Sequence, residues 1–448
     1  MYIQQIYTSC LAQASYYIES NNEAIIIDPI RDFNPYLKLI KERKSTLKYV
    51  FETHFHADFV SGHIELSRLT NAKIVFGPNA NPSYDCIIAK DKEEFSLGRL
   101  VFRVLHTPGH TMESVCYLLL SKNDPKAVFT GDTLFIGEVG RPDLAVNPNL
   151  NNIDLAGHLY DSLHNTLMNL PDSVIVYPGH GAGSACGKNI SRERISTIGE
   201  QKNNNYALQK MSKEHFVEIV LEGIMPPPNY FSHDVSMNKN GYQSVSDVIF
   251  KSLQKLNSKK IFEGAQNGAV ILDTRMPNDF EQGFIPGSIN IGKDGMFAPW
   301  VGTLMSADSE FIVICHENEE EEIISRLARI GYEKVIGYAH GIRQWELDAQ
   351  SIDRVTSIYP SDMLEKDAVI LDVRKSSELQ IGFVENSTHI ALSDIKSSIS
   401  KLDPSKDYFV YCAGGYRSMI ACSILKSKGY KNVFNVYGGF NAIAQNKS

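Results

Sequence analysis

Thr53-His54-Phe55-His56-Ala57-Asp58-Phe59 is the stretch on which the reading of this chain turns. It follows an apolar run at 49–52 that reads as a strand. Alternate residues of a short extended segment point the same way, so His54, His56 and Asp58 can converge on one point at the strand's C-terminal end. Distant segments supply matching pieces: His106-Thr107-Pro108-Gly109-His110, Gly131-Asp132-Thr133 after a run at 127–129, and Pro178-Gly179-His180-Gly181 after a run at 174–176. Each puts a nitrogen or oxygen donor just past a strand, on a loop held by glycine or proline. Several imidazoles with a carboxylate suit a first-row transition metal. Ordinary core or surface histidines would explain any one of these residues, but not four strand-end clusters in this order.

Around this stretch lie 448 residues, enough for two to four domains. With 43% hydrophobic and 21% charged residues, each part can bury a core. The net charge of −8, from 44 basic and 52 acidic side chains, argues against a nucleic-acid partner, because neutralising phosphates needs a basic excess. No apolar stretch approaches the roughly 20 residues that span a bilayer, and the first residues carry no basic run before an apolar core, so no membrane partner and a cytoplasmic location are expected. The seven cysteines include no CxxC pair, so the open question is which single thiol reacts.

Short β-branched runs at 24–27, 49–52, 73–76, 101–105, 127–129 and 174–176 alternate with helical patterns, which reads as α/β. A polar stretch ending near Tyr230 and stiffened by Pro226, Pro227 and Pro228 reads as a linker. Beyond it the chain repeats itself. Ala269-Val270-Ile271-Leu272-Asp273-Thr274-Arg275 recurs 99 residues on (368 minus 269) as Ala368-Val369-Ile370-Leu371-Asp372-Val373-Arg374, and Val313-Ile314-Cys315 matches Val410-Tyr411-Cys412. Three domains are expected, at 1–235, 241–350 and 355–448.

The histidine and aspartate clusters resemble the metallo-β-lactamase superfamily, whose HxHxDH motif and later His, Asp and His build a one- or two-metal site in an αββα sandwich. Phe59 stands where the motif's last histidine would be and cannot ligate, so a mononuclear site is favoured. The words His54-Phe55-His56-Ala57-Asp58-Phe59-Val60-Ser61-Gly62-His63, Gly131-Asp132-Thr133-Leu134-Phe135 with Gly140-Arg141-Pro142-Asp143-Leu144, and Gly179-His180-Gly181-Ala182-Gly183-Ser184-Ala185-Cys186-Gly187-Lys188 are similar to the persulfide dioxygenase branch. That resemblance implies one Fe(II) per chain held by His54, His110 and Asp132, a facial triad with open positions. It places His56, Asp58 and His180 around the ligands, orienting them or bound water. Arg141 could hold a carboxylate of a thiol cofactor by a charge-assisted fork, or simply pair with Asp143. Cys186 follows the site histidine on a small-residue loop, where Lys188 could favour its thiolate; it either handles persulfide sulfur or is a bystander.

Tyr411-Cys412-Ala413-Gly414-Gly415-Tyr416-Arg417-Ser418 lies between a strand and a helix, in a cradle of backbone N–H groups at the positive end of the helix. That field and Arg417 favour a thiolate able to hold sulfane sulfur. The segment resembles the rhodanese sulfurtransferase loop CxxGxRS, which implies catalytic roles for Cys412, Arg417 and Ser418. The middle copy has Cys315-His316-Glu317-Asn318-Glu319-Glu320-Glu321-Glu322 instead, without glycine or arginine and with carboxylates that oppose a thiolate, so it reads as a degenerate copy. The expected architecture is therefore α/β: an N-terminal αββα metallo-β-lactamase sandwich followed by two rhodanese-like domains.

Together these parts resemble a bacterial persulfide dioxygenase and rhodanese fusion of sulfide detoxification. The resemblance implies a low-molecular-weight thiol persulfide and O₂ as substrates, sulfite and thiosulfate as products, and a homo-oligomeric state. Two alternatives stay open: a glyoxalase II type Zn(II) thioester hydrolase fused to rhodanese, and a sulfur-relay or redox-sensing adaptor whose metal domain is only a platform.

Overall fold

Along the strand Val115–Ser121, Val115, Tyr117 and Leu119 join one apolar cluster while Cys116, Leu118 and Leu120 join another. A strand with period-two side chains can be apolar on both faces only if each face is covered. The first cluster, with Tyr16, Ile18, Ile25, Phe51, Val75, Phe102 and Phe129, fills the space between two six-stranded sheets. The second lies between the outer face of one sheet and the helices Asn152–Asn165 and Lys213–Leu221, through Leu159, Leu163, Phe216 and Val220. In this computed structural model, which describes residues 1–145, 149–364 and 368–445, the first part of the chain is the expected αββα sandwich.

One sheet runs in the order Tyr2–Thr8, Gln13–Ser20, Glu23–Ile27, Thr46–Phe51, Lys73–Phe76, Ile87–Ile88. The other runs Ser196–Thr197, Ile175–Pro178, Asp124–Gly131, Val115–Ser121, Leu100–His106, Glu94–Leu97. Asp124–Gly131 pairs parallel with Ile175–Pro178 and antiparallel with Val115–Ser121, which is itself antiparallel to Leu100–His106. The strands ending at His106, Gly131 and Pro178 therefore share a direction, and their C-terminal loops emerge at one edge. That edge carries His110, Asp132 and His180.

The chain divides into two compact units, Met1–Val245 with Ala328–Gly331, and residues 246–327 with 332 onward. The stretch ending near Tyr230 is more than a linker, because it leads directly into the helix Phe231–Asn240, which belongs to the first unit. In the second unit, one parallel sheet has the order Ile289–Asn290, Val270–Asp273, Phe311–Cys315, Val335–His340. The other has Thr356–Ile358, Val433–Val436, Tyr408–Tyr411, Val369–Asp372, Thr388–His389. The internal repeat extends to side-chain geometry: Arg275 forks onto Asp273 and reaches Gly283 O at 2.9 Å, and Arg374 forks onto Asp372 and reaches Gly382 O at 2.9 Å. Among the described residues, no helix is long and apolar enough to cross a membrane.

Candidate active sites

The strand Glu23–Ile27 ends at Asp28, whose φ of 50° is a conformation that L residues rarely adopt. The carboxylate is spent on the neighbouring strand end, accepting from Thr53 N–H at 2.7 Å and from the Thr53 hydroxyl at 2.9 Å. With its proton given to Asp28, Thr53 Oγ1 can only accept from His54 Nδ1, 2.9 Å away. That leaves the lone pair of His54 on Nε2. His110 reaches the same state by another route, since its Nδ1 lies 2.8 Å from the Arg141 carbonyl, which can only accept. Burial, reinforced by His56, holds His54 well below the usual imidazole range, and burial holds His110 down against the pull of Asp132. Both rings are neutral donors, the form that binds metal.

Asp132 Oδ2 lies 3.9 Å from His54 Nε2 and 3.5 Å from His110 Nε2, and this oxygen is buried without a hydrogen-bond partner. An orphaned carboxylate oxygen facing two imidazole lone pairs is costly unless a cation sits among them. His54, His110 and Asp132 thus fit a transition-metal ion. The loops close tightly around them: a Cβ on Gly140 would come 1.9 Å from Asp132 O. Asp132 is oriented through its other oxygen, which accepts from His180 Nδ1 at 2.8 Å, while His180 Nε2 donates to Asp58 Oδ2 at 2.9 Å. Burial opposes charge on His180, but Asp132 and Asp58 outweigh it and hold this imidazole protonated. Burial would likewise raise Asp132, yet His180, His54 and His110 keep it ionised.

His56 turns away from this point. Its Nε2 lies 3.1 Å from Asp28 Oδ1 and 3.6 Å from Glu52 Oε2, and its ring stacks on Phe59 at 4.3 Å. Asp58, His180 and Cys186 form a second cluster of potential donors, and Asp28, Glu52 and His56 a third. Cys186 is buried rather than exposed on its loop; burial and the nearby Asp58 and Asp132 push its thiol well above the ordinary range. Lys188 does not offset this, because its ammonium donates to the Ile219 and Glu222 carbonyls at 2.7 and 3.0 Å. The Arg141 guanidinium forks onto Asp143 at 2.7 and 2.7 Å and also donates to Ala185 O, so the pairing with Asp143 is the one formed.

Sequence reasoning missed Asp28 and Thr53, and also Asn238. On the helix after the proline stretch, Asn238 donates to His56 O and Phe59 O at 2.8 Å each and accepts from Ser61 N–H, pinning the motif's backbone. Tyr84, which donates to Asn238 O, also meets the ring of His63, whose Nδ1 lies 3.6 Å from Glu52 and which burial pushes down to about 3. A histidine buried neutral is protonated in the unfolded chain from about pH 6.5 downward. Its contribution is therefore present above that pH and is lost as pH falls towards 3. Urea unfolding at pH 6.5 and 5 should show a loss of about 2 kcal/mol assignable to this residue, absent in His63→Gln. Equal pH slopes in both proteins would show that His63 does not set the acid limit.

In the second unit, Cys412 directly follows the strand Tyr408–Tyr411 and the helix Tyr416–Ser427 begins beyond the loop. Gly415 N–H donates to Cys412 Sγ at 3.1 Å, and Ser418 Oγ lies 3.5 Å from the sulfur. Arg417 forks onto Glu378 at 2.6 and 2.8 Å, an acid that the motif did not reveal. In the middle copy, burial with Glu320, Glu319 and Asp273 pushes the Cys315 thiol up to about 12, as the acidic loop implies.

Comparison with known proteins agrees with these features. The metallo-beta-lactamase superfamily model matches residues 8–180, and the rhodanese-like domain model matches 256–348 and 360–446. Human mitochondrial persulfide dioxygenase ETHE1 is 31% identical over 220 residues, covering 49% of this chain and 79% of that protein. The chain belongs to the ETHE1 persulfide dioxygenase family, within the metallo-β-lactamase superfamily. Beyond the part it shares with human ETHE1, this chain carries two rhodanese-like domains, and it is in this sense a fusion. The hydroxyacylglutathione hydrolase of Tolumonas auensis is 34% identical over 167 residues, 36% of this chain and 59% of the hydrolase. The chain spans 57 to 60% of the length of such hydrolases. A metallo-beta-lactamase structure from Staphylococcus aureus COL aligns with a TM-score of 0.67 and 28% identity over 76% of this chain and 99% of its own.

Proposed function

We propose that the protein is an Fe(II) persulfide dioxygenase coupled to a sulfurtransferase. The observation that carries this reading is the three-donor cluster of His54, His110 and Asp132 with its orphaned carboxylate oxygen. It has a second support. Phe59 occupies the position of a further ligand, and His180 engages both ring nitrogens with Asp132 and Asp58, which leaves a second ion poorly served. His54, His110 and Asp132 would hold one iron per chain, and the ion would bring the sulfur of a low-molecular-weight thiol persulfide and O₂ together. The overall change is RSS⁻ + O₂ + H₂O → RSH + SO₃²⁻ + H⁺.

Within this scheme Thr53 and the Arg141 carbonyl fix which nitrogen of each histidine faces the ion. His180 orients Asp132 through Oδ1. A substrate carboxylate reaching Arg141 would compete with Asp143, and Cys186, close to His180 and Asp58, would take up persulfide sulfur once that sulfur reaches its buried thiol. Cys412 holds sulfane sulfur as a persulfide, with Gly415 N–H on its sulfur and with Arg417 and Ser418 beside it; sulfite takes that sulfur and leaves as thiosulfate. The functional parts are the three expected from the sequence, with the whole helix Phe231–Asn240 counted to the first, acting in the cytoplasm as a homo-oligomer.

Protein reconstituted anaerobically with Fe(II) is expected to contain about one iron per chain, as one facial triad implies, and to consume O₂ when given glutathione persulfide. Two tightly bound zinc ions with thioester hydrolysis and no O₂ consumption would replace this reading with that of a hydrolase.

A further inference from the structure

The middle copy lacks a reactive loop, yet one of its carboxylates joins a polar chain that ends at the thiol of the other copy. Glu281, on the helix Pro277–Gln282, is 9% exposed and accepts from the Ser357 hydroxyl through Oε2. Having given its proton to Glu281, Ser357 Oγ accepts from Asn435 Nδ2 at 3.1 Å. This fixes the Asn435 amide with Oδ1 towards Ser418, whose hydroxyl lies 2.6 Å away. Ser418 Oγ is in turn 3.5 Å from Cys412 Sγ. Asn435 is 3% exposed and Ser418 is fully buried, so no water competes along the inner half of the chain. The hydroxyl has one proton and three acceptors in reach: Asn435 Oδ1, Gly415 O at 3.0 Å and Cys412 Sγ. The shortest contact takes it. The middle copy also holds the loop itself, since Tyr416 donates to Gly292 O at 2.8 Å.

We propose that Glu281 of the degenerate copy is a positioning residue for the active thiol, setting the place and proton direction of Ser418 through Ser357 and Asn435. This rests on the reading of Cys412 as the sulfur carrier. The direction of the outer links, from Asn435 Nδ2 to Ser357 and from Ser357 to Glu281, is fixed only while Glu281 is a carboxylate. A glutamine there offers an N–H to Ser357 Oγ, and the polarity of the chain can then reverse as far as Ser418. The step affected is transfer of the outer sulfur of thiosulfate to Cys412, S₂O₃²⁻ + Cys-S⁻ → Cys-S-S⁻ + SO₃²⁻. Cyanide then takes that sulfur as thiocyanate and frees the thiolate.

The test is a double-mutant cycle on the full chain, read as thiosulfate to cyanide transfer and, separately, as the alkylation rate of Cys412 by iodoacetamide. Glu281→Gln is expected to lower kcat roughly tenfold, the scale of one misplaced buried hydrogen bond, with KM for thiosulfate unchanged. In a Ser418→Ala background the same change is expected to cost nothing further, because Glu281 acts only through Ser418. Ser357→Ala should show the same coupling. Tyr437→Phe, which removes the hydrogen bond to the Glu281 carboxylate from outside the chain but leaves the chain intact, should match the wild type. Independent, multiplying effects of Glu281→Gln and Ser418→Ala, or an equal loss in Tyr437→Phe, would reduce Glu281 to a docking contact and overturn the proposal. So would a Glu281→Gln protein identical to the wild type. If Cys412→Ser keeps sulfur transfer, the carrier reading fails instead, and the alkylation cycle still decides the relay.

Discussion

Asp132→Asn is expected to abolish persulfide-dependent O₂ consumption and iron retention while leaving thiosulfate to cyanide sulfur transfer at the wild-type rate. The side chain does two things that an amide of equal size cannot do together. Oδ2 is the anionic donor facing His54 Nε2 and His110 Nε2, and Oδ1 accepts from a His180 imidazole held protonated by two carboxylates. Replacing one carboxylate leaves a buried charge with a single counter-ion in Asp58, so both the ion and its orienting histidine lose their anchor. His180→Ala, which touches only the orienting partner, is expected to weaken iron binding by about 10- to 100-fold, the usual scale for an outer partner of a metal ligand. Sulfur transfer should persist in both variants because Cys412 lies in the other unit, with its own core around Phe409, Tyr411 and Val436. Iron content by mass spectrometry and an oxygen electrode measure the first claim, and thiocyanate formation the second. Wild-type O₂ uptake by Asp132→Asn would remove Asp132 from the centre.

The difference between what could and could not be read in the sequence lies in how locally each feature is encoded. Six strands are legible because β-branched apolar runs such as 73–76 are sufficient to specify them, whereas Tyr2–Thr8 and Gln13–Ser20, with polar residues among the apolar ones, are not; the metal donors are legible because each sits just past a legible run. The two rhodanese copies show themselves by an offset of 99 that the paired Arg275–Asp273 and Arg374–Asp372 forks then reproduce in space. What stayed hidden depends on partners remote in sequence. Asp28 holds Thr53 from 25 residues upstream without any motif around it, and Asn238 braces the histidine motif from a helix that looks like the far side of a linker. Charged side chains are the hardest case, since a long flexible arm takes whichever acceptor the fold brings near. Lys188 caps the end of a helix instead of assisting Cys186, Arg141 is held by Asp143, and Arg417 is held by Glu378. Burial of Cys186 has the same origin, because small residues in a loop suggest exposure until the neighbouring segments are known.

Cys412→Ser should eliminate thiosulfate to cyanide sulfur transfer, whereas Cys315→Ser should change it little. The two thiols stand at the ends of equivalent strands of equivalent sheets, so the difference lies in what faces each sulfur. Cys412 has Gly415 N–H at 3.1 Å and the start of a 12-residue helix beyond it, both favourable to negative charge. Cys315 has burial, Glu320, Glu319 and Asp273 against it, with Lys293 drawn off to Glu319 at 3.0 Å. At neutral pH a thiol held up at about 12 is almost entirely protonated and is a poor nucleophile. The same substitution tests why both activities share a chain. Given persulfide and O₂, intact protein should release thiosulfate as a major product, because tethering raises the local concentration of the Cys412 persulfide that sulfite meets. Cys412→Ser should still consume O₂ but release free sulfite instead. A Cys186→Ser protein that keeps both half-reactions but makes less thiosulfate would identify Cys186 as a relay between them. Products are separated by thiol derivatisation and chromatography, with non-enzymatic exchange between sulfite and persulfide controlled for. Wild-type thiosulfate from Cys412→Ser would break the coupling, and equal losses in Cys412→Ser and Cys315→Ser would mean that the acidic loop does not silence the middle copy.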